Sequence, residues 1–297
     1  MPRAPADVKG REFAALLCLG ALWGGSFLAI RVAAPEFGPF ALIDLRVLVA
    51  AAVLLLVAGF SRQRLTSWSR WRDFLILGAV NAAAPFTLIA FAELRLTASL
   101  AAILNATTPL FAALIAAIWL RDVLTPRKIG GLLLGLAGVA IVVGLSSLPQ
   151  DGATFLAAGA SLLAALSYAL GGVMVKARFS GTPTLTLAVG QQLGAGIVLL
   201  PFAATHLPSA APSAAAVLAM LFLAIGGTAL GFLLYFYLLA RTGPSNTLSV
   251  TLLAPVFGVL WSALFLAEPI GISTLFGLAI VLAGVLLAAS RPRRAPA

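Results

Sequence analysis

Apolar residues run through this chain in ten long blocks separated by short polar gaps. A helix that crosses a bilayer needs about 20 mostly apolar residues, because the hydrocarbon core is about 30 Å thick. On that criterion spans fall at 13–33, 39–60, 73–93, 97–120, 127–145, 153–175, 184–205, 214–239, 245–266 and 271–289. The gaps are too short to hold a soluble domain, so the pattern predicts an all-α polytopic membrane protein. The second block is the least regular, with Asp44 and Arg46 inside its first turns. The first block follows Arg3, Lys9 and Arg11, as a secretory signal would. It is long for such a signal, continues through "WGGSF" into a charged end, and is followed by nine more spans. It is read as a retained first helix.

Composition supports the same class. Of 297 residues 62% are hydrophobic and only 9% charged, against about a quarter charged in soluble chains. The net charge of +10 could suggest a nucleic-acid partner, but the basic residues form neither a patch nor a basic helix. They occupy the gaps. With the N-terminus cytoplasmic, one side collects Arg3, Lys9, Arg11, Arg62, Arg64, Arg70, Arg72, Arg121, Arg127, Lys128, Lys176, Arg178, Arg241, Arg291, Arg293 and Arg294. The other side receives only Arg31, Arg46 and Arg95. Excess positive charge marks the cytoplasmic side, so both termini are expected there.

Chemistry-bearing patterns are sparse. Cys18 is the single cysteine and His206 the single histidine, which leaves no disulfide and no cysteine-based zinc cluster. No nucleophile–base pair occurs, and "GGTALG" (226–231) lacks the GK[ST] that a phosphate-binding loop requires. The sequence therefore argues against an enzyme, against an ATP-driven pump and for no cofactor.

Shifting the chain by 146 residues lays the fourth and fifth spans on the ninth and tenth. Arg95 meets Arg241, Pro109 meets Pro255, Phe111 meets Phe257, Asp122 meets Glu268, Gly131 meets Gly277 and Gly138 meets Gly284. A shift of 145 pairs Trp23 with Tyr168 and Arg31 with Lys176. Each repeat, 1–148 and 149–297, holds five spans. An odd number forces the two copies into opposite orientations, the inverted-repeat plan of secondary transporters, with substrate bound near the midplane between the halves.

"LWGGSFLAIR" in the first span, Arg46 inside the second, and "ELRLTASLAAIL…P…LRD" across the fourth resemble the EamA-type branch of the drug/metabolite transporter superfamily. The resemblance covers nearly the whole chain. It implies ten helices in two inverted five-helix repeats around a central cavity, in the bacterial inner membrane, exporting amino acids, metabolites or drugs. Asp122 stands where that family usually has glutamate. The resemblance, together with Trp and Tyr in the expected cavity, makes aromatic amino acids the first expected substrate. Multidrug efflux, a membrane scaffold and a lipid flippase are the competing readings.

Candidate cavity residues follow from backbone chemistry. Proline lacks the N–H that would bond the carbonyl four residues earlier. Pro85 would free the carbonyl of Asn81, Pro109 that of Asn105, and Pro255 that of Thr251. An unsatisfied carbonyl at membrane depth must find a helix, a water or a ligand. Thr108 neighbours the second of these prolines, and Gly231 is the repeat-equivalent of Pro85. Trp23 and Tyr168 lie near mid-span, outside the interfacial belt that accounts for Trp119 and Tyr237, and Tyr235 joins them from the eighth span. Gln191 matches Arg46 across the repeat; a mid-membrane amide bonds either a neighbouring helix or substrate. Arg46 and Asp44, two residues apart, face different sides of a helix and are expected to pair with groups such as Glu36 or Arg31 instead. Recognition of a carboxylate substrate is the second reading of Arg46. Asp122 and Glu268 lie about 20 Å from their prolines at 1.5 Å per residue, at opposite surfaces, as capping or loop-closing charges. The glycine ridges "GGLLLGLAG" and "FGLAIVLAG" permit close packing. They point to support, or to a weak homodimer through the fifth and tenth helices of an otherwise monomeric chain. Substrate and lipid bilayer are the expected partners.

Overall fold

The computed structural model describes residues 10–63, 65–66, 68–146 and 148–289. Arg3, Lys9, Arg64, Arg291, Arg293 and Arg294, which entered the orientation argument, lie outside the described residues. The helices are α1 (Gly10–Phe37), α2 (Pro39–Phe60), α3 (Trp71–Glu93), α4 (Ala98–Trp119) and α5 (Pro126–Gly144). The second five are α6 (Gly152–Arg178), α7 (Thr184–Thr205), α8 (Ala214–Gly243), α9 (Val250–Leu266) and α10 (Ile272–Ala289). Each covers a predicted block, with ends moved by up to five residues. All but α9 are long and apolar enough to cross a membrane, and α9 is a shorter apolar helix.

Local chemistry sets the helix ends. The side chains of Thr97, Thr125, Asp151 and Ser213 each accept a hydrogen bond from the backbone amide three residues on, capping α4, α5, α6 and α8. The one-residue turn between α1 and α2 uses Gly38 at φ 72°, a conformation costly for any residue with a Cβ.

Packing follows the repeat. α1 lies against α8 and α9 of the second repeat, and α6 lies against α3 and α4 of the first. α2 packs on α7, and α5 packs on α10. The last pair uses its glycines on each other: Gly131 meets the backbone of Gly284, and Gly138 meets Val281. The ridges thus build an internal support arm, and the surface left toward lipid or a second copy carries Leu133 and Phe276.

The two faces of the body differ. Toward the face opposite the start of α1, two large apolar clusters form, one joining α1, α2, α3, α4, α6, α7 and α8 and one joining α3, α4, α5, α6, α9 and α10. Toward the face where α1 starts, the buried residues separate into smaller groups. Leu19, Leu238 and Val250 hold α1, α8 and α9 together. Leu54, Leu185 and Val189 hold α2 and α7, and Phe74, Leu77 and Met174 hold α3 and α6. α9 packs along the first half of α4 and diverges from the second. The core is massed toward one face and divided into smaller groups toward the other.

Candidate functional site: an aromatic and arginine-bearing interior

Both third helices of the repeats loosen at the same place. α3 takes a π-helical turn over Ala79–Ala83, and α8 does so over Phe222–Leu230. A shift of 146 carries 79–83 onto 225–229. The π turn in α3 precedes Pro85 and adds to the carbonyls that lack a helical partner. Ala84 N–H donates to Ala79 O, five residues back, so the carbonyl of Val80 also lacks its helical donor, because Pro85 has no N–H. The Ser167 hydroxyl of α6 donates to Val80 O at 2.6 Å. π turns of this kind concentrate at functional sites.

The kink in α4 is satisfied locally. The Thr108 hydroxyl donates to the freed Asn105 carbonyl at 2.7 Å. Asn105 Oδ1 is buried without a donor among the described residues. The Thr251 hydroxyl donates to Leu248 O, and Pro255 sits inside α9. Among the described residues, no hydrogen bond or ring contact ties these α4 and α9 residues to the interior aromatic rings.

Two aromatic pairs lie in the interior, one between α1 and α8 and one between α3 and α6. Trp23 stacks on Tyr235 with ring centroids 5.8 Å apart. Tyr168 meets the edge of Phe86 at 5.9 Å. Trp23, Tyr168 and Tyr235 are only half-buried. Gly231 leaves room for Trp23, whose Nε1 lies 2.7 Å from where a Cβ would stand. Asn81 Nδ2 donates to Gln191 Oε1 at 2.7 Å, which spends one end of each amide on the α3–α7 contact. Gln191 Nε2 and both polar atoms of Gln192 stay unbonded although buried.

Arg46 departs from its expected ion pair. Its guanidinium lies 3.6 Å over the Phe86 ring, and Nε donates to Thr228 Oγ1 at 2.9 Å. Glu36 instead accepts from the amide and hydroxyl of Ser213, capping α8, and Arg31 donates to the backbone carbonyl of Glu93. Asp44 Oδ1 is buried with no donor. The reason is geometric: Arg46 points into the bundle toward α3 and α8, and Glu36 and Arg31 are engaged at the face.

The two terminal acids behave as capping and loop-closing charges. Asp122 closes the α4–α5 turn on Lys128, 3.2 Å away, and that hydrogen bond holds its carboxyl below the ordinary aspartate range. Glu268 accepts from the amides of Ala98 and Ser99 and from the Ser99 hydroxyl. A groove of about 530 Å³ between Arg31, Leu94, Thr97, Leu266 and Glu268 opens on the face opposite the start of α1.

A family model described as the EamA-like transporter family matches this chain twice, over residues 12–144 and 155–290. The chain belongs to that family. Among EamA relatives, an uncharacterised transporter of Bacillus subtilis is 27% identical over 94% of this chain and 92% of its own length. A probable terminal-alkyne amino-acid exporter of Streptantibioticus cattleyicolor is 27% identical over 92% of this chain and 91% of its own. A solved crystal structure aligns with a TM-score of 0.68 at 21% identity, covering 94% of this chain and 96% of that one, and shows the same fold.

Within this EamA body, sequence reasoning missed four side chains. Phe86, Ser167 and Thr228 complete the interior contacts, and Glu93 is fully buried with no donor to either carboxylate oxygen. Phe86 and Ser167 were findable, lying next to Pro85 and Tyr168. Glu93 ends its span, where an acid ordinarily reaches water, and nothing in the pattern marks it as buried.

Proposed function

We propose that this membrane transporter is a secondary carrier of the bacterial inner membrane that exports small amphipathic metabolites, aromatic amino acids first among them. Both termini then lie in the cytoplasm, the face with the divided core is cytoplasmic, and the face with the massed core is external. The carrying observation is an interior that holds two aromatic pairs and a buried arginine, in a body of two inverted five-helix repeats. Such a body works by rocking its halves about a central site. Trp23 and Tyr235 suit a flat apolar side chain, and half-buried Tyr168 adds a hydroxyl. The name of the Streptantibioticus relative favours an amino-acid cargo. Arg46 in the same interior disfavours cationic drugs, which it would repel. The chain acts as a monomer or as a weak homodimer through the outer faces of α5 and α10.

The test is efflux from liposomes holding purified protein and preloaded with labelled phenylalanine or tryptophan. Protein-dependent loss of label is expected. Absence of flux for amino acids and other small solutes would return the reading to a scaffold or a lipid flippase.

A further inference from the structure

We infer that Arg46 is the anchor for a substrate carboxylate, and that the interior takes monocarboxylates bearing a flat aromatic group. The inference rests on the transport reading and deepens it.

Arg46 is 4% exposed and makes no ion pair among the described residues; the buried Glu93 carboxyl, which accepts no hydrogen bond there, is an acid within electrostatic reach of it. A buried guanidinium that no carboxylate bonds is expensive in a membrane protein, and such a residue marks a ligand site. Its position is fixed from two sides. The Thr228 hydroxyl donates to Leu223 O at 2.8 Å, which turns its lone pairs toward Arg46 Nε. The Phe86 ring supports the guanidinium plane. With Nε occupied, Nη1 and Nη2 bond no protein atom among the described residues, leaving an edge that matches two carboxylate oxygens.

The aromatic part of the ligand is placed by α8. Thr228 lies near the end of the π turn, and Gly231 opens the regular helix that carries Tyr235. Thr228 holds Arg46, the bare backbone of Gly231 receives Trp23, and Tyr235 stacks on Trp23. One helix thus carries both the group that holds Arg46 and the groups that hold the Trp23 ring. The repeat makes the site polar: where the first repeat has Arg46, the second has Gln191, a neutral amide engaged with Asn81. One anion is accommodated, not two.

Three probes separate the groups: phenylalanine, 3-phenylpropionate, which lacks the ammonium, and phenethylamine, which lacks the carboxylate. Wild-type liposomes are expected to carry the first two and reject the third. Arg46→Gln should raise the KM for phenylalanine at least tenfold and abolish the preference for 3-phenylpropionate over phenethylamine, with Arg46→Lys intermediate. An unchanged KM and unchanged preference in Arg46→Gln would overturn the inference. Thermal melting in detergent provides a readout independent of flux. 3-Phenylpropionate should raise the Tm of wild type and not of Arg46→Gln; an equal shift in both, or none in wild type, overturns the anchor. Stabilisation of wild type without flux of any probe overturns the transport reading alone. Should Arg46→Gln fail to fold, Thr228→Val keeps the charge but frees Nε. It should raise the KM for phenylalanine, and an unchanged KM would count against the anchor.

Discussion

The Glu268 carboxylate of the second repeat clasps the Ser99 end of α4 in the first, accepting from the Ser99 amide at 3.1 Å and the Ser99 hydroxyl at 2.6 Å. Its repeat-equivalent, Asp122, stays within its own loop on Lys128. Equivalent positions thus do different work on the two faces, one joining the halves and one leaving them apart. Loss of a helix cap costs about 1 kcal/mol, enough to shift a two-state balance about fivefold. Glu268→Ala should therefore widen the opening on that face. In a Cys18→Ala background carrying Thr97→Cys, labelling by a membrane-impermeant maleimide should rise severalfold when Glu268→Ala is added. Equal labelling would show that the clasp does not hold that face.

The "WGG" of α1 predicts a second outcome. Gly24 crosses α9 so closely that a Cβ would stand 2.6 Å from the Ala254 carbonyl oxygen and 2.7 Å from the Gly258 amide nitrogen. Backbone atoms cannot yield as side chains do, and overpacking of about this kind costs ~1–3 kcal/mol. Gly24→Val should lower the yield and melting temperature of purified protein sharply. Gly159, on α6, has nothing within 4 Å, and Gly159→Ala should be neutral or stabilise by about 0.5–1 kcal/mol through helix propensity.

These two residues also show what the sequence could disclose. Gly24 belongs to a motif, and the spans, the duplication and the terminal acids were readable because hydropathy and repeat spacing are properties of one chain position after another. Trp23 and Tyr168 were readable as mid-span aromatics that need an interior. The partner of Arg46 was not, because Thr228 lies 182 residues away and is oriented by a π turn that no periodicity announces. Likewise, Pro85 signals a freed carbonyl, but only the structure shows that Ser167 donates to Val80.

The α4–α5 turn gives a pH prediction. The hydrogen bond from Lys128 holds the Asp122 carboxyl below its ordinary value. A depressed carboxylate contributes its contact above the unfolded value and loses it as pH falls through the folded one. Closure of the turn should therefore be constant at neutral pH and weaken only in acid. Lys128→Met should produce at pH 7 the lowered protection of the Val123 amide, relative to its intrinsic exchange rate, that wild type shows only in acid, and equal protection in both would count against the contact.

Trp23 and Asn105 separate binding from folding. Trp23→Ala removes the ring stacked on Tyr235 from a half-buried position, so the binding surface is lost with little damage to the core. Asn105 Oδ1 has no donor, and Asn105→Leu removes a buried acceptor whose absence costs the fold nothing. Both variants should reach wild-type expression and melt within about 2 °C of wild type, on the scale of about 2–4 °C per kcal/mol for chains approaching this size. Phenylalanine flux should fall at least severalfold in Trp23→Ala. Asn105→Leu should lower it if the α4 kink lines the same path. Loss in Trp23→Ala alone would confine the site to α1, α2, α3, α6 and α8, while unchanged flux in both would remove the aromatic interior from the transport path.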